Sequence, residues 1–286
     1  MKKALKVSAI VIGLLLLVII ALPFVFKGKI QQTVQSEINK NLNAVVTFDG
    51  VGLSLIRHFP DLTVKVKNLV VKGTGDFSAD TLASVPGLSL TLDLASVFGG
   101  SEYKVKQIDL NAPRFLFKVL KNGKVNWDVM KPSANADTVS TPSSFKVYLN
   151  KVSISNMRMV YDDAEIPTML AFDGLTGTLS GDMTADITSL DIKAVVKDIT
   201  ADYDGIRYMS KTTGEITTLL NANLSTWTFT FKDGNLRLND LNIKADGFFA
   251  MPDEGYKMDI KFAAKENTFK AFLSLIPAVY AKDLKM

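Results

Sequence analysis

The sequence predicts a mainly β protein behind an N-terminal membrane span, and three observations predict it. Residues 7–26 form an uncharged apolar run that only Ser8 interrupts. After Ala44, apolar and polar residues alternate with period two over most of the chain, as strands with one apolar face require. Helical spacing is confined to one stretch after the span and one near the C-terminus. The expected architecture is a transmembrane helix, one amphipathic helix, a long antiparallel β-sheet and a short C-terminal helix.

The span comes first. At 1.5 Å per residue, 20 apolar residues cover roughly 30 Å, the hydrocarbon thickness of a bilayer. Val7, Leu14, Leu15, Leu16, Leu17 and Phe26 are its anchoring residues. Lys2, Lys3 and Lys6 precede it and Lys27 and Lys29 follow. That excess of positive charge on the N-terminal side predicts a cytoplasmic N-terminus. The run exceeds the h-region of a cleaved signal, about 7–15 residues, and Leu22-Pro23-Phe24-Val25-Phe26 offers no small-x-small site. The span is therefore read as an uncleaved signal anchor.

Composition bounds the rest. A chain of 286 residues with 47% hydrophobic content has enough behind the span for one large or two modest folded units. The net charge of +4 looks basic until it is located. The first 29 residues hold five of the 33 basic side chains and no acidic one, which leaves 28 basic against 29 acidic. Nucleic-acid binding thus loses its electrostatic support. Cysteine is absent, so disulfides, thiolate metal sites and cysteine nucleophiles are excluded.

Ile30, Val34, Ile38 and Leu42 recur every four residues and predict an amphipathic helix ending near Asn43, docked as a cap on the sheet. Strands follow. Leu62, Val64 and Val66 alternate with Thr63, Lys65 and Lys67, and Leu88, Leu90, Leu92 and Leu94 alternate with Ser89, Thr91 and Asp93. Further strands are read at 103–105, 108–110 and 115–119, the last carrying Phe115, Phe117 and Val119. Asn122-Gly123 then suits a tight hairpin into Val125 and Trp127. Residues 131–144 are rich in Ser, Thr, Pro and Ala without periodicity, and read as a linker or mobile loop. Beyond it, strands are expected at 145–149, 152–154, 157–161, 169–172, 175–179, 190–196, 215–220, 227–231, 236–238, 241–243 and 256–262. Phe269, Phe272, Leu273, Ile276 and Tyr280 return to helical spacing. The units are thus 1–29, 30–130, 131–144 and 145–286.

Motifs for chemistry are missing. No H-E-x-x-H, P-loop, G-x-G-x-x-G or G-x-S-x-G occurs. His58, the single histidine, sits in a turn-like break and reads as a solvated loop residue. Asp162-Asp163 and Asp253-Glu254 read as solvated turn carboxylates, and no D-x-D-x-D spacing marks a calcium loop. Trp127 and Trp227 are read as sheet-core residues. The residues call for no metal, no cofactor and no catalytic machinery.

The order of particular segments is similar to the N-terminal region of the AsmA family. The span and the helix at 30–42 are followed by Val46-Thr47-Phe48-Asp49-Gly50, Leu53-Ser54-Leu55 and Phe59-Pro60-Asp61-Leu62. Pro113-Arg114-Phe115 and Asn122-Gly123-Lys124-Val125-Asn126-Trp127-Asp128 complete the set, which covers about residues 1–130. The resemblance implies a bacterial inner-membrane protein, single-pass, with its bulk in the periplasm. It further implies a curled sheet related to chorein-type bridge-like lipid transfer proteins, forming a groove for acyl chains and acting in outer-membrane biogenesis. On that reading Leu62, Val64, Val66, Leu88, Leu90, Leu92, Leu94, Phe115, Phe117 and Val119 line the groove. The expected partners are membrane lipids and envelope proteins at the distal end. The competing expectation is an envelope scaffold in which the same apolar face is a closed core.

Overall fold

The computed structural model describes residues 42–55, 58–99, 103–131, 145–146, 149–183, 186–252, 254–264 and 268–275. The predicted span with Val7, Leu14, Leu15, Leu16, Leu17 and Phe26, most of the amphipathic helix, and nearly all of the 131–144 loop lie outside them. Among the described residues, no helix is long and apolar enough to cross a membrane.

Fourteen strands are described. They are β1 Val45–Thr47, β2 Gly50–Ser54, β3 Leu62–Lys72, β4 Thr81–Leu92, β5 Tyr103–Asn111, β6 Arg114–Val119 and β7 Phe145–Lys146. After these come β8 Lys151–Asp163, β9 Thr168–Ser180, β10 Ile187–Tyr203, β11 Ile206–Asn223, β12 Thr228–Leu238, β13 Leu241–Ala250 and β14 Lys257–Ala263. They form a large curled sheet in the order β1-β3-β4-β5-β8-β9-β10-β11-β12-β13-β14; β2 also pairs with β3, β6 with β4 and β8, and β7 with β5.

The sheet is mixed, not antiparallel throughout. β8 runs parallel to β5 through Leu110–Ile154 and parallel to β6 through Phe117–Tyr161. The cause is the connection after β6. The chain turns back at Asn122-Gly123, where Gly123 has φ +75° and the Leu120 amide donates to the Lys124 carbonyl at 2.8 Å. It then needs a further crossover to return to the start of β5, and crossovers of a dozen or more residues are what parallel neighbours require.

Several predicted strands are halves of longer ones. Stretches 169–172 and 175–179 are both β9, and 227–231, apart from Trp227, and 236–238 are both β12. The Asp-Gly pairs that look like chain breaks are bends within a strand: Gly174 has φ +68° and Asp233 has φ +51°. Asn68, Ala112 and Asn156, at φ +51°, +48° and +52°, fall at successive positions across β3, the β5–β6 junction and β8. The Ala112 amide donates to the Ser155 carbonyl at 2.8 Å and fixes that alignment. Bulge-like residues aligned across strands crease a sheet and increase its twist.

Four further expectations are corrected. Leu94 is not in a strand; it opens the helix Leu94–Gly99, because Asp93 Oδ1 accepts the Ser96 amide at 2.9 Å and caps a helical turn. Leu42 is not helical but bridges to Met130 in an extended conformation. Asp163 is buried rather than solvated, and Trp127 and Trp227 are 39% and 54% exposed rather than in a core. Trp227, at φ +46°, sits in the turn before β12. The expected C-terminal helix is present at Phe269–Leu273, capped by Thr268. Asn239 donates to the Ser274 carbonyl at 2.6 Å and ties it to the β12–β13 turn.

Candidate functional site: an open apolar sheet face

Partners directly opposed across neighbouring strands share a face, and alternate residues along a strand take opposite faces. Val51, Val66, Leu88, Leu110 and Ile154 are successive partners from β2 to β8. The same row continues through Gly177, Ala194, Ile216, Leu236 and Ile243, from β9 to β13. Every residue of it is apolar, and it crosses nine strand gaps, about 43 Å at ~4.8 Å each. A second row, Leu53, Val64, Leu90, Ile108, Val152, Leu179 and Ile192, lies beside it on the same face.

None of these side chains is buried, and most are half-exposed. The enclosed side chains are others, from Val46 and Val85, each 3% exposed, to Ile199, Ala222 and Leu241 farther along the sheet. The two rows are thus an open apolar surface.

The structure brings most of the predicted groove residues together. Leu62 opposes Leu92, Val64 opposes Leu90, and Val66 opposes Leu88. Leu92 closes the ladder and is buried, whereas Leu88 and Leu90 are half-exposed. Phe115 and Phe117 lie past the crease. Phe115 joins another apolar row with Val71, Ala83, Met159, Phe172 and Ile199. The Phe117 ring lies 5.9 Å from that of Trp127, which is 6.3 Å from Tyr161. Two residues leave the set: Leu94 for its helix, and Val119, which is buried against Val125 at the base of the hairpin.

The other face is polar. Lys65, Ser89, Asp109, Ser153, Thr178 and Lys193 are successive partners across β3 to β10. Together with His58 and with Leu110, Ile154, Gly177 and Ala194 they line a hollow of about 850 Å³. His58 is partly buried rather than solvated, with Nδ1 3.1 Å from the Thr63 hydroxyl. A row of hydroxyls and charges on one face and a row of aliphatic groups on the other makes the sheet two-sided at every strand it crosses.

Charged groups lock the ends of the strands. Lys106 donates to Asp61 at 2.8 Å and lies 2.9 Å from Asp93. Those two contacts, Asp61 first, raise the Lys106 ammonium above its usual range, and Lys106 followed by the Ser96 amide lowers the carboxyl of Asp93. At the other end of β8, the Tyr161 hydroxyl donates to Asp163 at 2.6 Å, and Asp163 also accepts the Glu165 and Ile166 amides. The tyrosine bond is the main reason that the Asp163 carboxyl is held low. Both networks cap turns and close strand ends. Among the described residues, no cluster of His, Asp or Glu has the geometry to hold a metal ion.

Sequence reasoning found the near end of the apolar face and missed the far end. Ala194, Ile216, Leu236 and Ile243 carry the row on, but each sits in a strand whose alternation is diluted by Thr, Asn or Lys. Only the register shows that they align.

No curated protein matches the chain. Residues 1–230, the greater part of it, match the AsmA family. The match runs from the N-terminus into β12, on both sides of residues 131–144 and through the strands that carry the apolar rows as far as β11. The chain belongs to the AsmA family.

Proposed function

We propose that this is a non-catalytic lipid-binding or lipid-transfer protein, anchored in the bacterial inner membrane by residues 7–26, with its sheet in the periplasm and a role in outer-membrane biogenesis. Family membership supports the envelope setting. The single observation that carries the lipid reading is the uninterrupted apolar row from Val51 to Ile243, in which no residue is buried. Each methylene of an acyl chain moved from water onto such a surface gains up to ~0.8 kcal/mol, so a continuous lining several strands wide suffices to hold one. The headgroup stays in water, and the sheet supplies no charge along the row to repel the chain.

A scaffold with a closed core is favoured less. Buried aliphatic residues here, Val46, Val85 and Leu92 among them, are 9% exposed or less, and no residue of the row is among them. The test is extraction of the full chain in mild detergent, purification, and mass analysis of lipid released by organic solvent. Phospholipid or a related lipid is expected near one or more molecules per chain. Lipid no higher than for an unrelated single-span protein carried through the same steps would overturn the reading.

A further inference from the structure

Among the described residues β14 is the last strand of the sheet and pairs only with β13. Its outer edge therefore presents a row of backbone amides and carbonyls able to template another strand. One side of β14 carries Met258, Ile260 and Phe262, which are 63%, 43% and 77% exposed. The other side carries Lys257, Asp259 and Lys261. At the opposite edge, the sheet ends in short pieces, three-residue β1 and five-residue β2, which leave little to pair with.

We propose that β14 pairs antiparallel with β14 of a second copy of this chain, in the register that sets Ile260 against Ile260. The strand is self-complementary about that residue. Met258 then opposes Phe262 and Asp259 opposes Lys261, each twice, so the apolar strip is continuous and every central charge meets its opposite. Opposed residues must share a face, so the register changes only in steps of two. One step one way sets Asp259 against Asp259 and Lys257 against Lys261. One step the other way sets Lys261 against Lys261. Like charges directly opposed are destabilising, and among these three registers the Ile260-centred one alone avoids them.

The resulting two-fold interface is the same patch on both copies, as closed dimers require. Opposed partners sharing a face also means that Met258, Ile260 and Phe262 of both copies lie on one side of the joined sheet. The β1 edges then stand at the two far ends. If residues 7–26 anchor both copies in one bilayer, the long axis of the joined sheet runs along the membrane. The pairing does not depend on whether the apolar face holds lipid.

The chain has no cysteine, so a single introduced thiol reports one position. Directly opposed Cβ atoms lie about 4.5–5.5 Å apart and diagonal ones about 7–8 Å, which separates positions that form a disulfide with small adjustment from those that do not. In the full chain, in detergent and in phospholipid vesicles, Ile260→Cys is expected to give a covalent dimer on mild oxidation. Asp259→Cys and Lys261→Cys are expected to give severalfold less. In the cysteine-free chain, Asp259→Lys should shift the mass measured by light scattering from two copies to one while the chain stays folded, with at most the small drop in melting temperature that loss of a partner brings. A monomeric parent chain, cross-linking at Asp259→Cys or Lys261→Cys equal to that at Ile260→Cys, or an Asp259→Lys chain that melts normally and remains dimeric would each overturn the proposal. Should Asp259→Lys melt early, the pattern of cross-linking at the three positions decides alone.

Discussion

The Lys106 ammonium lies 2.9 Å from Asp93 Oδ2, and this contact fastens β5 to the end of the leucine ladder on β4. The same ammonium reaches Asp61 before β3, so one side chain ties together the approaches to three neighbouring strands. The carboxyl of Asp93 is lowered in the fold, first by Lys106 and then by the Ser96 amide. A lowered carboxyl contributes stability above its unfolded pKa, about 4, and that contribution is lost as pH falls through the folded value. Lys106 is raised, so its share is present below about pH 10.5 and lost as pH rises through its folded value. Lys106→Met should therefore flatten the acid limb of the stability curve below about pH 4 and blunt the alkaline limb. Because Lys106 is about one-third exposed, the loss at neutral pH should be about 1 kcal/mol or less. Denaturant midpoints from pH 3 to pH 11 check this; an unchanged acid limb would show that the contact does not persist in solution.

That corner also shows what the sequence makes legible. The alternation Leu88, Leu90, Leu92 is a strand and was readable, because the side-chain period of a strand is fixed at two. Leu94 extends the arithmetic but not the structure. The signal against it was Asp93 followed by Ser96, the spacing of a helix cap, and a six-residue helix is too short to show its own periodicity. The β5–β8 pairing was not legible, because no local pattern says which distant strand will lie alongside, or in which direction. The open apolar face was readable over its first strands and not over β10–β13, where alignment comes from register rather than from composition. The hollow was hidden for the same reason.

Gly177 occupies the centre of the long apolar row, between Ile154 and Ala194. A Cβ there would stand 2.6 Å from the Lys193 carbonyl oxygen and 2.8 Å from Ala194 Cβ, against backbone that cannot swing aside. Gly177→Ala should cost about 1–3 kcal/mol, the usual range for overpacking. Gly52→Ala is the comparison, since its Cβ would meet nothing nearer than Lys65 Cβ at 4.0 Å. It should be neutral or stabilise slightly, because alanine loses less backbone freedom than glycine on folding. Equal midpoints for the two variants in denaturant would mean that β9 and β10 separate easily at this point, and that the row is not rigid.

Leu90 and Ile108 are direct partners in the second apolar row, each half-exposed, and they separate an open face from a closed core most sharply. Threonine is β-branched, which suits a strand at both positions, and on an open face its hydroxyl reaches water. The double variant should then melt close to wild type. Leu92 lies two residues from Leu90 but is buried, at 9% exposure, so Leu92→Thr strands a hydroxyl and leaves a cavity, costing at least ~2 kcal/mol. The two variants thus have opposite expected outcomes: Leu90→Thr with Ile108→Thr should retain stability and lose bound lipid, because an acyl chain gives two hydroxyls no partner. Leu92→Thr should lose stability and keep its lipid per folded chain. Thermal melting and solvent-extracted lipid on the same preparations read both quantities. If the double variant melts as early as Leu92→Thr, the face is a closed core and the scaffold reading gains; if it stays folded with undiminished lipid, the rows are not where lipid binds.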